Sequence, residues 1–267
     1  MNSRPFLLVF ITFFILGYHH HHHMAQAASK RLKSRNTAKR IRSACDHKEM
    51  ESCSQKLTMI GDEKFIFPTS VKQMEKRCRD IKSLQRCVKN NAQNCYDTDT
   101  NRYILILLYS ITKTNRAYCR NSKKRLAFIG FGKCANKNIK LLNQYMAGLN
   151  RDFHSIKHLN KDQKLTIPLL CCNYHKFKTN IANLFEDQCP DDLPEVENLL
   201  NGYVGDLLNV GCGDFGDDDD RCDSVIKKTP NWTEPLEHKD FIIPLVQIID
   251  QINTVPNSTE LDNTRLD

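Results

Sequence analysis

The 267-residue chain has one tryptophan, ten glycines and no Cys-x2-Cys pair. Without that pair the usual zinc-knuckle spacing is missing, so cysteine here is not read as a zinc ligand. The chain contains no G-x-S-x-G, no H-E-x-x-H and no glycine-rich phosphate loop, which removes the hydrolase, zincin and nucleotide classes that carry such local signatures. A Ser-His-Asp triad leaves no local signature, and nothing favours one. No segment reaches the roughly 20 apolar residues that cross a bilayer. The longest apolar stretches, Phe6–Tyr18, Ile104–Tyr109 and Phe241–Ile249, are shorter. No run alternates as a strand between Asn-Gly or Asp-Gly turns. Acid is missing from residues 1–42 altogether.

What stands at the N-terminus reads as an export signal. Arg4 precedes the apolar run Phe6–Tyr18, and Ala25-Gln26-Ala27 supplies the small-residue cleavage pattern. Residues 1–27 are therefore expected to be a signal peptide, with the mature chain starting at Ala28 or Ser29. A cut after Gly17 is the alternative and would retain His19–His23. Five consecutive imidazoles could then hold zinc or copper. Otherwise they are a discarded spacer or a remnant of expression.

Cysteine is abundant: Cys45, Cys53, Cys78, Cys87, Cys95, Cys119, Cys134, Cys171, Cys172, Cys189, Cys212 and Cys222. An even set in an exported chain predicts up to six disulfides, in a pairing that spacing alone does not determine. Cys171 and Cys172 are expected to take different partners, because a vicinal ring strains the backbone. Two Asn-x-Ser/Thr sequons, at Asn231 and Asn257, follow the last cysteine and are expected to carry glycans.

Four regions follow. Residues 1–27 are the signal, 28–44 a disordered basic arm, 45–252 a cysteine-rich helical domain and 253–267 a polar tail. The arm holds Lys30, Arg31, Lys33, Arg35, Lys39, Arg40 and Arg42 with no acid. Its dibasic pairs suit either propeptide processing or a solvated tail. Within the domain, Val71, Met74, Cys78, Ile81, Leu84 and Val88 recur at helical steps behind a cap at Thr69 or Ser70. A helix capped by Thr98 or Asp99 runs through Leu107 towards Tyr118, although its apolar centre also suits a strand. A third pattern, Leu126 to Leu149, is expected to break at Gly130 and Gly132. Pro168 reads as a first-turn residue for Leu169–Phe185. A helix capped by Asp191 or Asp192 runs from Val196 to Leu208 and stops at Gly211, and Phe241–Ile252 closes the domain. The fold class is all-α, a disulfide-stapled helical domain with a disordered basic arm. Cys45, Cys53 and Cys78 are echoed by Cys87, Cys95 and Cys119 at an offset near 42, which duplicated hairpins or coincidence would explain.

Two local patterns suggest chemistry. Cys171-Cys172-Asn173-Tyr174-His175 resembles the active-site helix of secreted phospholipase A2, in which the His activates water and a following Asp binds calcium. Here Lys176 occupies the calcium-ligand position and repels the ion, Lys178 replaces a cysteine, and the glycine-rich calcium loop is missing. The acidic loop with Asp214, Asp217, Asp218, Asp219, Asp220 and Asp223 offers carboxylates but lacks EF-hand order, and reads as solvated.

Phe67-Pro68-Thr69, Met74, Cys78, Cys87, Cys95, Cys119, Phe128, Cys134, Cys171-Cys172, Cys189, Cys212 and Cys222 together resemble the secreted 27 kDa haemolymph glycoprotein family of arthropods. The resemblance spans about Cys45 to Cys222 and implies an extracellular, disulfide-bonded, commonly glycosylated protein without established enzymatic activity; no cofactor is expected. The His run and the basic arm depart from that group. The expected function is binding, with a lipid or small hydrophobe carried between helices near Ile104–Tyr109 and Phe241–Ile249. A gland-secreted venom or salivary effector and a degenerate phospholipase A2-like enzyme are the alternatives.

The net charge of +8 is unevenly placed. Residues 43–170 carry 24 bases against 11 acids, and residues 171–267 carry 7 against 20. Nucleic acid is therefore not expected as a partner. The arm suits an anionic surface, and the opposed halves suit salt-sensitive self-association.

Overall fold

Each long helix but one begins where a side chain takes up its first free N–H groups. Asp46 accepts from the Glu49 N–H to open α1, His47–Thr58. Ser70 accepts from the Gln73 N–H to open α2, Val71–Cys95, while the Gln73 side chain accepts from the Thr69 N–H. Asp97 accepts from Asp99 and Thr100 to open α3, Thr98–Arg120. Asn121 opens α4, Ser122–Lys137, and Asp162 opens α6, Gln163–Gln188. Between them α5, Ile139–Leu159, starts without a side-chain cap. A short 3-10 turn, Pro190–Asp192, leads into α7, Leu193–Leu200, which widens into a π turn over Asn201–Gly205. The last elements are α8, Arg221–Ile226, and α9, Ile242–Thr254.

This architecture is that of a computed structural model describing residues 45–62, 64–205, 208, 211–212, 215 and 221–254. The expected signal peptide, the His run, the basic arm, most of the acidic loop and Asn257 lie outside the described residues. No strand occurs among the described residues, so the all-α, disulfide-stapled reading holds.

Several boundaries differ from expectation. α3 is capped by Asp97, one residue ahead of the nearer candidate, and is helix throughout. The Leu126–Leu149 pattern divides at Asn138, and Gly130 and Gly132 both lie inside α4. Gly132 is needed there for close approach: a Cβ on it would collide with the Pro68 carbonyl oxygen. Pro168 is interior to α6, which begins five residues earlier. Asp192 leads into α7 without a side-chain cap. The expected end at Gly211 falls where neighbouring residues lie outside the description. α1 and α8 were not foreseen as helices.

α1 packs on α2, α2 on α3, α5 on α6, and α9 against both α3 and α5. Phe67, Phe128, Phe131 and Phe185 are fully buried at the centre, with Phe131 stacked on Phe185 at 5.3 Å. Asn136 fixes Phe67 in this cluster, accepting from its N–H at 2.8 Å and donating to its carbonyl at 2.9 Å.

All twelve cysteines pair: Cys45–Cys95, Cys53–Cys87, Cys78–Cys119, Cys134–Cys189, Cys171–Cys212 and Cys172–Cys222. The vicinal cysteines take separate partners, as expected. The echoed spacing also acquires a physical reason. Cys45 and Cys53 face Cys95 and Cys87 in reversed order, so the repeated interval of eight is a two-rung ladder between antiparallel segments about two turns apart. No disulfide joins the first three pairs, within residues 45–119, to the last three, within 134–222.

Hydrogen bonds tie the first covalent set to the second and to the segment beyond Cys222. Thr114 donates to the Gly202 carbonyl at 2.7 Å, and Ser54 donates to Asp240 at 2.8 Å. The Gly61 N–H donates to Asn143 at 2.8 Å. Each bond satisfies a polar group that burial would otherwise leave costly.

Candidate functional site

Where α1 ends, its last carbonyls have no helical partner. Met59, at φ 67°, turns the chain away from the helix. Arg77 of α2 fills the gap, its guanidinium donating to the Lys56 carbonyl and, at 3.0 Å, to that of Leu57. Asn115 of α3 donates to the same Leu57 oxygen at 3.0 Å and Tyr203 at 3.2 Å. A cation at a helix C-terminus also meets the negative end of the macrodipole. Arg77 is 7% exposed, and burial lowers its pKa from the ordinary arginine value, against opposing contributions from Tyr203 and Asp80. No carboxylate pairs with it among the described residues, and its Nε has no hydrogen-bond partner there.

Above this buried cation the 59–70 segment and α2 enclose a cleft of about 580 Å³. Phe65, whose ring lies 5.4 Å from the Arg77 guanidinium carbon, forms its apolar wall with Ile66 and Leu84. Ile66 is 73% exposed, unusual for so large an aliphatic side chain. Lys56, Lys64 and Lys76 line the cleft without an ion pair among the described residues, and the lining also includes two acids, Asp62 and Asp80, the latter one turn on from Lys76 in α2. Four cations, two anions and an apolar wall make a pocket suited to an amphipathic anion: a charged head at the lysines and a hydrocarbon chain along Phe65 and Ile66.

Of the two apolar segments expected to flank a ligand, Phe241–Ile249 is largely packed, whereas Ile104–Tyr109 is packed on one face and leaves Ile106 and Tyr109 exposed, lining an open groove with Leu105. Ile104, Leu107 and Leu108 are buried in α3, as are Phe241, Ile243, Leu245 and Val246 at α9. The interior void beside Phe241, Met146 and Tyr203 measures about 10 Å³, room for one water at most.

The remaining sequence candidates fall as follows. Cys171, Cys172 and Asn173 are buried in α6, and His175 lies 3.4 Å from Thr179 in a groove shared with Glu197. Lys176 is held by Asp152 of α5 and by Asn173, which places a tied cation at the position the phospholipase resemblance would give to a calcium ligand. Asn231 is exposed, as a glycan acceptor must be. Beside it, Trp232 lies 5.2 Å from His158 and 5.9 Å from His154 between ring centroids. His154 is buried, bonding the Asn150 carbonyl through Nδ1 and accepting from the His238 N–H at Nε2. Burial lowers the pKa values of His154, His158 and His238. Two groups have metal-like spacing, Cys45-His47-Cys95 and Cys134-Cys189-Asp192, but in both the sulfurs are spent on each other in disulfides. Sequence reasoning missed the cleft, because Arg77 reads as one base among seven in α2. Comparison with protein-family models, with curated proteins and with solved structures finds no match to this chain.

Proposed function

We propose that the chain is a secreted, disulfide-stapled glycoprotein that acts by binding, of the kind the haemolymph-glycoprotein resemblance implies, and that it takes an amphipathic anionic lipid in the cleft over Arg77. The observation that carries the reading is the combination of Lys56, Lys64 and Lys76 with the exposed apolar wall of Phe65 and Ile66. Six closed disulfides, and no described helix long and apolar enough to cross a membrane, accord with an extracellular protein. Binding on the surface replaces carriage between the helices, where the void is water-sized.

The test is displacement of a fluorescent long-chain fatty acid from the full chain, with native mass spectrometry of protein recovered from culture medium. Ile66→Asp places a carboxylate in the apolar wall and is expected to weaken binding at least tenfold with the fold unchanged. Protein that stays in the cell, or that neither carries nor takes up lipid, sinks the reading.

A further inference from the structure

α2 carries seven bases and two acids, and six of the bases share one face. At 100° per residue, Lys72, Lys76, Arg79, Lys82, Arg86 and Lys89 fall within an arc of about 140°, opposite the buried Met74, Ile81, Val88 and Ala92, and exposed Glu75 is the one acid of α2 inside that arc, near its N-terminal end. All six are exposed, and none makes an ion pair among the described residues. The row is about 26 Å long, with one cation roughly every 5 Å. Glu75 offsets Lys72 and Arg79 at i,i+3 and i,i+4 spacing, but from Arg79 through Lys82 and Arg86 to Lys89 the neighbours repel with no acid inside the arc, so this stretch weakens the helix unless something neutralises it. The Cys78–Cys119 bridge, with Cα atoms 5.7 Å apart, joins α3 to this helix one residue before exposed Arg79 on α2 and one residue before exposed Arg120 on α3. Lys123 and Lys124, also exposed, follow at the start of α4.

We propose that this face of α2 binds a linear sulfated polysaccharide. Evenly spaced charge on a straight rod matches a linear polyanion better than a compact one. α2 has no aromatic residue, so the stacking platform that single-stranded nucleic acid uses is missing. An extracellular location, on which the proposal rests, makes sulfated glycan the polyanion encountered. The site is separate from the lipid cleft except at Lys76, which lines both.

The experiment measures binding of the full chain to immobilised heparin over a range of salt. Three forms are compared: the unmodified chain, a chain with Lys72, Arg79, Lys82, Arg86 and Lys89 changed to Gln, and a chain with the seven arm bases changed to Gln. Circular dichroism and non-reducing mass analysis establish the fold of each. The α2 variant is expected to lose at least tenfold in affinity, and its slope of log affinity against log salt to fall by about one for each cation in contact. Equal binding by the α2 variant and the unmodified chain overturns the proposal and leaves the arm as the anion site. Equal or tighter binding of single-stranded oligonucleotide by the same face overturns it in favour of nucleic acid. Fatty-acid displacement on the α2 variant, which keeps Lys76, reports the cleft separately. Retention in the cell counts against secretion and leaves the heparin measurement interpretable.

Discussion

The phenol of Tyr203 donates to the carbonyl oxygen of Leu57, 146 residues earlier, at 3.2 Å. It thereby joins the π turn after α7 to the end of α1, across the boundary between the two disulfide sets. Arg77 and Asn115 converge on the same oxygen, so three elements are located by one buried helix end. Covalent staples hold each half, and hydrogen bonds of this kind set how the halves meet.

Tyr203→Phe removes one donor from that oxygen and leaves two. A loss of about 1 kcal/mol is expected, since the acceptor remains satisfied. Urea unfolding should show a lower midpoint at unchanged slope.

Arg77→Met takes away the one partner that the Lys56 carbonyl has among the described residues and one of the partners of Leu57. A loss of about 2 kcal/mol is expected, because a buried carbonyl left unpaired costs more than a hydrogen bond returns. Arg77→Lys should recover part of it at most, as one ammonium cannot reproduce the planar fork. Thermal unfolding of the two variants checks the order.

Asp240 gives a pH dependence of definite sign. Burial pushes its carboxyl up to about 6, against the hydrogen bonds from Ser54, Ile242 and Ile243. The folded state therefore holds a proton that the unfolded chain, near 3.8, has lost. The resulting stability is complete below that value and disappears as pH rises through 6, a contribution of about 3 kcal/mol. Asp240→Asn retains an acceptor for the α9 N–H groups. The stability difference between the wild type and this variant should fall between pH 4 and pH 6.5, and a constant difference contradicts the assignment.

His154 works in the opposite direction. Its lowered pKa means that stability is present above the unfolded value of about 6.5 and is lost as pH falls through the folded one. Protonation converts Nε2 from an acceptor of the His238 N–H into a donor facing a donor. Acid should loosen the segment that carries Trp232 before the helices melt, visible as an early change in tryptophan fluorescence.

The Cys53–Cys87 loop is nested within the Cys45–Cys95 loop. With one rung closed, the other restrains only about 16 further residues, so losing either should cost about 3 kcal/mol and losing both about 7. Serine pairs at each rung, singly and together, test this by denaturant unfolding.

How much of this was legible depends on which signal dominated locally. Ser70 behind Pro68 and the three-four spacing of α2 made that helix plain, and Asp97 escaped only because its neighbours are equally good caps. α1 was hidden because two of its buried positions are Ser54 and Thr58, which dilute the apolar period of Met50 and Leu57. Gly132 misled because propensity treats a helical glycine as a weakness, whereas here the Pro68 backbone occupies the space of a side chain. The all-α class and the separate partners of Cys171 and Cys172 were readable. The pairing of the other cysteines, and a cleft assembled from residues 56 to 84 around a buried arginine, required the tertiary arrangement.

The two rungs between α1 and α2 also bear on what a protease could do to this molecule. The 59–70 connection lies inside both loops, with Lys64 and Ile66 on its exposed side. Cleavage there would open one wall of the cleft, yet both ends would remain covalently attached, so the nicked chain would keep its mass on a non-reducing gel. Clipping would alter the cleft without releasing a fragment.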